Sequence, residues 1–273
     1  YVRRFGRPDV LHAHSLYPAG FLTHLLAAKY GLPWVLTEHR SLGHMPVRTG
    51  LGRRAEQQVA ASAAKRIGVS RGHADFIAQR LGGQWDYVPN LLPPELETVT
   101  VSDHSHKPLV VGHLSVLDPV KRPELVIKSF AAAQLGADAQ LIIGGPLTDE
   151  IEASLRQCAR QAGVEKQLEL PGMITDVAGF NQQLDVFVLP SITESFGMVL
   201  IEALATGAAL VATDTWGANT VISDGDGVVV DSADPTELGA AIKQVSTWPR
   251  DKAGRERRRE SCLSRFALGA FAA

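Results

Sequence analysis

Pro190-Ser-Ile-Thr-Glu194-Ser-Phe-Gly197-Met-Val-Leu-Ile-Glu202-Ala-Leu-Ala-Thr-Gly207 is the most informative stretch of this sequence. Its pattern predicts a buried strand that ends at Pro190, a polar loop that carries Glu194, and a helix that begins near Gly197. A helix start presents free backbone N–H groups and a partial positive charge, so this junction is suited to hold a phosphate. Glu202 lies about two turns into the helix, where it is able to accept hydrogen bonds from a diol such as ribose.

Both glutamates also have a simple structural interpretation. Glu194 would then be a charge that favours the helix start, and Glu202 a solvated helix residue, which is the commoner situation for a surface Glu pair. The neighbours of Glu202 weaken that interpretation, because a carboxylate inside an apolar run needs a partner. Those neighbours are Val199, Leu200, Ile201, Ala203 and Leu204.

Short β-rich runs alternate with helical stretches throughout the chain, which is typical of parallel α/β sheets. In the first half the runs are 9–14, 34–39, 66–70 and 86–88, separated by helical stretches such as 21–29 and 53–64. In the second half they are 109–111, 140–143, 168–170, 185–189, 209–212 and 228–230. The second half therefore predicts a six-stranded doubly wound unit.

A proline-rich and then polar segment, 89–107, separates the two halves, and we place the boundary between domains 1–104 and 105–273. The first domain shows only four strands and begins with what should be a middle strand of such a sheet. The chain also begins with Tyr1 rather than Met. We therefore expect an N-terminal truncation and an incomplete first domain.

Composition bounds the class of protein. The 273 residues are 45% hydrophobic and 21% charged, with a net charge of -2. This fits a globular protein without a basic field for nucleic acid. The two cysteines lack metal-type spacing and, with no apolar run of about 20 residues, favour a cytoplasmic location. We expect the arginine-rich segment 250–265 to form a solvated closing helix; peripheral attachment to an anionic membrane surface is the alternative.

The stretch 190–207 resembles the Glu-x7-Glu motif of retaining glycosyltransferases of family four, which have the GT-B fold. The resemblance extends from Pro8-Asp-Val-Leu-His-Ala-His14, through Tyr87-Val-Pro-Asn90, to Asp224-Gly-Asp-Gly227. It implies two Rossmann-like domains and transfer of a sugar from a nucleoside diphosphate to a hydroxyl acceptor. It further implies a glycan or lipid-linked acceptor in cell-surface polysaccharide or glycolipid synthesis, with no tightly bound cofactor or metal.

The resemblance also implies roles for individual residues of the second domain. Glu194 meets the donor sugar, Glu202 holds the ribose, and Lys121 neutralises the diphosphate. A family arginine that accompanies the lysine is His113 here, which supplies a hydrogen bond but no permanent charge. The backbone amides expected to bind the sugar and diphosphate are those of Ser195, Phe196, Gly197 and Met198. A second departure from the family pattern is the loop 216–220.

In the first domain, His12 and His14 share one face of a strand, and Glu38-His39 ends the next strand. By resemblance, His39 approaches the donor sugar and the reaction centre, and His14 lines the acceptor side. Three histidines and a carboxylate also allow a metal site to be imagined, but no supporting signature accompanies them, and we expect none. We interpret His12 as a packed strand histidine.

Two other hypotheses stay open. Another GT-B enzyme, such as a nucleotide-sugar epimerase or a phosphorylase, shares the fold, although the spacing of Glu194 and Glu202 argues for a transferase. A non-catalytic fragment that binds sugar nucleotides is favoured by the N-terminal truncation and by His113.

Overall fold

The computed structural model describes residues 2–40 and 49–271 of the chain. Contacts within the chain divide it into two compact units, Tyr1–Asn90 and Leu91–Ala273. Each unit contains one parallel β-sheet with helices in the connections between strands. The predicted α/β class is therefore confirmed.

The first unit contains a four-stranded sheet in the order β1-β2-β3-β4. Its core is formed by apolar side chains such as those of Trp34, Leu36 and Ile77. Helix α4 begins where the Ser70 hydroxyl accepts a hydrogen bond from the backbone N–H of His73, which is a standard helix cap. The elements are α1 (Val2–Phe5), β1 (Leu11–His14), an irregular helical turn (Leu16–Gly20), α2 (Phe21–Tyr30), β2 (Trp34–Glu38), α3 (Gly50–Ala61), β3 (Lys65–Gly68), α4 (Arg71–Leu81) and β4 (Asp86–Tyr87).

The second unit is larger and contains a six-stranded sheet. Its elements are α5 (Pro94–Glu97), β5 (Val110–Leu114), α6 (Pro123–Ala133), β6 (Gln140–Gly144), α7 (Asp149–Gln161), a single helical turn (Glu165–Gln167), β7 (Leu168–Gly172), α8 (Val177–Gln182), β8 (Val186–Leu189), α9 (Met198–Ala205), β9 (Ala209–Thr213), α10 (Trp216–Val221), β10 (Gly227–Val230), α11 (Pro235–Ser246), α12 (Lys252–Phe266) and a final turn (Leu268–Phe271). All ten predicted strands are present in the two sheets.

Strands of the second sheet follow the order β10-β9-β8-β5-β6-β7, and every pair is parallel. This is the doubly wound order, in which the chain leaves β5 first toward one edge and later returns to the other side. The reversal falls between β5 and β8. Ligands of open α/β sheets bind in the crevice at the carboxyl ends of the strands at such a point, so the loops after β5 and β8 define where a site is expected.

The segment 91–104 packs with the second unit, whereas the sequence placed the boundary between 104 and 105. Leu92 and Leu96 are buried, and the N–H of Leu92 donates to the carbonyl of Phe266 in α12. His104 is also buried and hydrogen-bonds to Asp185. The proline-rich segment without helical or strand periodicity is therefore a connection between the two units, as the sequence indicated. Its residues 91–104 nevertheless pack on the second unit, through contacts with residues that are distant in sequence.

Helix α12 differs from the solvated helix that we predicted. Arg255 and Arg258 are buried, and their guanidinium groups donate to the carbonyls of Thr206 and Gly207 at the end of α9. Arg259 donates to the carbonyl of Ala205 in the same turn. The last carbonyls of a helix have no partner within the helix, so these arginines satisfy groups that would otherwise remain unpaired. The arginine-rich sequence serves packing rather than solvation.

Within the described residues, no helix combines the length and the apolar character that a bilayer span requires.

Candidate functional site

Lys121 and Glu194 connect the two loops at the point where the strand order of the second sheet reverses. Lys121 lies in the loop after β5, and Glu194 lies in the loop after β8. The Lys121 Nζ donates to Oε1 of Glu194 at 2.5 Å. The two side chains are 23% and 12% exposed, so this ion pair is partly shielded but still open to a ligand. The structure therefore brings together two of the predicted donor-binding residues.

The loop that carries Glu194 is fixed by its backbone as well. The carbonyl of Glu194 accepts from the N–H of Gly217 at the start of α10, and the N–H of Ile192 donates to the carbonyl of Val120. A Cβ on Gly217 would lie 2.3 Å from the carbonyl oxygen of Phe196, so only glycine permits this approach. The segment 216–220, which the sequence suggested to be a loop, lies within helix α10, and its Gly217 supports the loop after β8.

Helix α9 begins at Met198, as predicted, with Gly197 in a left-handed conformation at φ 80°. The first N–H groups of a helix have no intrahelical acceptor and point beyond its end. The Phe196 ring is buried and packs edge-on against Phe266, which anchors the loop immediately before the helix. Free N–H groups are therefore presented on a rigid support next to the Lys121–Glu194 pair.

Glu202 lies in the second turn of α9 and is partly buried. Burial, with the carboxylate of Glu95 as a second cause, raises the pKa of Glu202. Among the residues that the structure describes, no cation or hydrogen-bond donor pairs with this carboxylate. A shielded acceptor without a partner suits a ligand that brings its own hydroxyl groups.

His113 is not placed to contact a phosphate, contrary to the role that the sequence suggested. The residue is fully buried in β5, where its ring stacks on Phe187. Its Nδ1 must donate to the carbonyl of Val188 at 2.8 Å, since a carbonyl only accepts, and Nε2 pairs with the Ser115 hydroxyl at 2.8 Å. Burial lowers the pKa of His113 to about 4, so the ring is neutral at pH 7. Both nitrogens are committed to the fold.

The first unit places His14 and His39 together at the carboxyl ends of β1 and β2. Nδ1 of His14 and Nε2 of His39 are 2.8 Å apart, so one ring donates and the other accepts. Burial, followed by the proximity of His14, lowers the pKa of His39. The neutral state of His39 is thus favoured, in which an imidazole donates at one ring nitrogen and accepts at the other.

Glu38 is a feature of this unit that the sequence interpretation did not assign to a role. Its carboxylate is completely buried, and Oε1 accepts from the N–H groups of His39 and Arg40. Oε2 accepts from the N–H of Leu16, so Glu38 connects the loops after β1 and β2. A Glu at the last position of a buried strand was the available signal, because such a residue must find donors.

His12 is exposed; its Nε2 lies 2.8 Å from the Thr37 hydroxyl, and its ring centroid lies 4.3 Å from that of His14. In the described part of the chain, no three His, Cys, Asp or Glu side chains are arranged to hold a metal ion. His14 and His39 bond directly to each other rather than being spaced around a central position.

Comparison with known proteins agrees with this architecture. The family described as "Glycosyl transferases group 1" matches residues 97–260, and a "Glycosyl transferase 4-like domain" matches residues 1–90. The D-inositol 3-phosphate glycosyltransferase of Geodermatophilus obscurus is 27% identical, over 88% of this chain and 60% of that protein. The corresponding enzyme of Acidothermus cellulolyticus is 28% identical, over 89% of this chain and 61% of that protein. The chain thus spans about 60% of the length of these relatives.

Solved structures show the same fold. Sucrose-phosphate synthase of Thermosynechococcus elongatus superposes with a TM-score of 0.80 at 21% identity, covering 100% of this chain and 73% of that one. HepE of Anabaena, in complex with UDP and glucose, also gives 0.80 at 21% identity, covering 96% and 75%. The predicted GT-B-like class of two parallel-sheet units is confirmed. Since the first family matches more than half of the residues, this chain belongs to the group 1 glycosyltransferases, within the family-four GT-B class that its sequence resembles.

Proposed function

We propose that this chain moves a sugar from a nucleoside diphosphate sugar to a hydroxyl acceptor, with retention at the anomeric carbon. The observation that carries the proposal is the Lys121–Glu194 pair at the strand-order reversal, beside the open helix start at Gly197. A cation and helix N–H groups suit a diphosphate, while a carboxylate suits sugar hydroxyls.

Each residue would act mainly by positioning and by electrostatic stabilisation. Lys121 and the amides of Ser195, Phe196, Gly197 and Met198 would stabilise the charge that develops on the departing diphosphate. Glu202 would hold the ribose diol, and Glu194 would orient the sugar. In the first unit, the neutral His39 would face the donor sugar and His14 the acceptor.

UDP-sugars are the first donors to examine, since HepE was crystallised with UDP and glucose. For the acceptor, the names of the curated relatives direct attention to phosphorylated polyols. The acceptor classes proposed from the sequence are glycans and lipid-linked glycans in cell-surface polysaccharide or glycolipid synthesis. A panel that contains all of these acceptors compares them directly.

Binding of a nucleotide sugar without transfer is the second candidate function. The observation that favours it is His113, which is neutral and buried where the resembling family has an arginine. Lys121 would then be the main fixed charge against the diphosphate, and turnover would suffer more than binding. Donor hydrolysis and sugar transfer, measured beside donor binding, separate the two functions.

The test of donor binding uses UDP, GDP and their glucose, N-acetylglucosamine and mannose derivatives in calorimetric titrations. Lys121→Ala should weaken binding about ten- to hundredfold, because a hydrogen bond to a charged group contributes about 1.5–3 kcal/mol. Lys128→Ala is the matched control, since Lys128 is exposed on α6. Absence of binding for every compound, or equal affinities of the two variants, would contradict the proposed donor site.

A further inference from the structure

Ser191 is a buried polar residue beside the Lys121–Glu194 pair that neither the sequence nor the proposed roles have used. It follows β8 directly and is only 1% exposed. Its hydroxyl donates to Oε1 of Glu194 at 3.0 Å. A buried hydroxyl that bonds to a carboxylate in a candidate ligand site points to a role in orienting that carboxylate.

Ser191 is itself held from the neighbouring strand. The hydroxyl of Thr213, the last residue of β9, donates to the Ser191 carbonyl at 2.6 Å. Thr213 is also buried. The chain of bonds from Thr213 through Ser191 to Glu194 therefore begins in the sheet and ends at the ligand-facing loop, so the position of the carboxylate is set by rigid elements.

The two carboxylate oxygens of Glu194 have different surroundings. Oε1 accepts from both Lys121 and Ser191. Among the residues that the structure describes, Oε2 accepts from none, and it is not one of the buried atoms without a partner. A carboxylate oxygen accepts about two hydrogen bonds, so Oε1 is filled and Oε2 is open.

Lys121 remains able to serve the diphosphate while it holds Oε1. An ammonium group has three donors, and one is used by Glu194, which leaves two for phosphate oxygens. The ion pair is thus compatible with a bound donor and need not break on binding.

We infer that Ser191 is a positioning residue for Glu194, and that it directs Oε2 toward the hydroxyl groups of the donor sugar. This inference rests on the proposed function, in which Glu194 meets that sugar. Ser191 contacts no substrate itself. Thr213 supports Ser191. Lys121, the charge proposed to bind the diphosphate, holds the same carboxylate through its other oxygen, Oε1.

The experiment measures dissociation constants for UDP and for UDP-glucose, or for whichever donor pair the wild type binds best. The informative quantity is the ratio of the two constants, because a merely structural change alters both in parallel. In Ser191→Ala, we expect UDP affinity within about twofold of wild type and a ratio changed about five- to tenfold against the sugar form. Ser191→Thr keeps the hydroxyl and should restore the ratio.

Thr213→Val gives a second route if Ser191 variants fold poorly, since it is nearly isosteric and removes only the bond to the Ser191 carbonyl. We expect it to change the ratio in the same direction by about two- to threefold. Ser129→Ala is the matched control, because it also removes a fully buried serine hydroxyl, one without a hydrogen-bond partner and placed on α6. It should leave the ratio unchanged.

Glu194→Ala separates failure of this inference from failure of the proposed function. If Glu194→Ala changes the ratio but Ser191→Ala and Thr213→Val do not, Ser191 is only structural and the inference is overturned. If Glu194→Ala also leaves the ratio unchanged, Glu194 does not meet the sugar, and its proposed role fails together with the inference.

Discussion

The second sheet has an amino edge, where the amino ends of its strands lie, and a carboxyl edge, where their carboxyl ends lie. These two edges use charged residues in opposite ways. At the amino edge, Asp185 accepts hydrogen bonds from His104, Arg250 and the backbone N–H of Val110, and Arg255 lies 3.4 Å away. At the carboxyl edge, Glu202 has no partner among the described residues, and Glu194 uses only one of its two oxygens. Satisfied charges hold the fold together, whereas charges with spare hydrogen-bonding capacity are available to a ligand.

The difference has an energetic reason. A buried charge costs several kcal/mol unless other groups in the fold satisfy it, so a fold retains an unsatisfied carboxylate only at a cost in stability. The amino edge avoids that cost with four donors around Asp185. At the carboxyl edge, Glu202 is only partly buried, and this partial burial is the main cause that raises the pKa of its carboxylate. Stability and binding measurements should therefore respond in opposite ways to substitutions at the two edges.

The largest expected effect is at the amino edge. Asp185→Ala leaves Arg255, which is 1% exposed, without its carboxylate partner, and removes the acceptor of His104. We expect the free energy of unfolding to fall by about 3–5 kcal/mol, as for other broken buried ion pairs. Urea unfolding followed by circular dichroism gives the value. Glu165→Ala, in an exposed pair with Arg160, is the control and should cost at most about 1 kcal/mol. If both variants lose a similar amount of unfolding free energy, Asp185 is no more important to the fold than an exposed ion pair.

The next effect concerns His113, another group that is fully satisfied by the fold. Its folded pKa of about 4 lies below the ordinary histidine value of 6.5, so the folded state binds fewer protons than the unfolded chain between these values. The contribution of neutral His113 to the free energy of unfolding should be fully present above pH 6.5. It should decrease by about 3 kcal/mol as the pH falls toward 4. In His113→Gln this contribution should vanish, whereas exposed His106→Gln should keep the wild-type pH dependence. Parallel profiles for all three proteins would show that His113 does not titrate this way.

The sequence could predict the strands because their apolar runs and turn residues are local. It also located Glu194 and Glu202, since the strand end, the left-handed Gly197 and the helix follow one another directly. It could not show that His113 is buried, because this depends on β5 lying in the middle of the sheet between β8 and β6, which is set by distant chain segments. The connection from Thr213 to Ser191 likewise joins residues from neighbouring strands.

The sequence of α12 contains a local pattern that indicates its burial, although its many arginines suggested a solvated helix. Arg255, Arg258, Cys262 and Phe266 are all buried and recur at helical spacing. An arginine on that stripe must find acceptors, and the end of α9 supplies three carbonyls. Helical periodicity should therefore be examined before a charged segment is interpreted as solvated.

At the carboxyl edge, the effect should appear in binding. Glu202→Ala should weaken binding of free UDP by about 1.5–3 kcal/mol, or about ten- to hundredfold, because a ribose hydroxyl loses a charged acceptor. The loss should be present without the sugar, in contrast to Glu194→Ala. Calorimetric titration gives both constants, with exposed Glu150→Ala as the control. Unchanged UDP affinity would exclude Glu202 from the nucleotide site.

The smallest effect, and the sharpest test of the contrast between the edges, is the stability of the ligand-free protein after Glu202→Gln. The folded pKa of Glu202 is raised above the ordinary glutamate value of 4.5, so the folded state binds more protons than the unfolded chain in the pH window above 4.5. Wild-type stability should therefore fall as the pH rises through that window and stay lower above it. Gln carries no charge and avoids this loss.

We thus expect Glu202→Gln to be more stable than wild type at pH 7, with the gap closing toward pH 4.5. Glu95→Gln should move stability in the same direction by less, since the Glu95 carboxylate is the second cause of the shift after burial. Saturating UDP should reverse the order of wild type and Glu202→Gln, because only the intact carboxylate gains the full ribose bond. Urea unfolding at pH 7 and at pH 4.5, with and without UDP, gives the free energy of unfolding of each protein. If ligand-free Glu202→Gln is less stable than wild type at pH 7, the fold already satisfies this carboxylate. The charged residues at the two edges would then serve the same structural role.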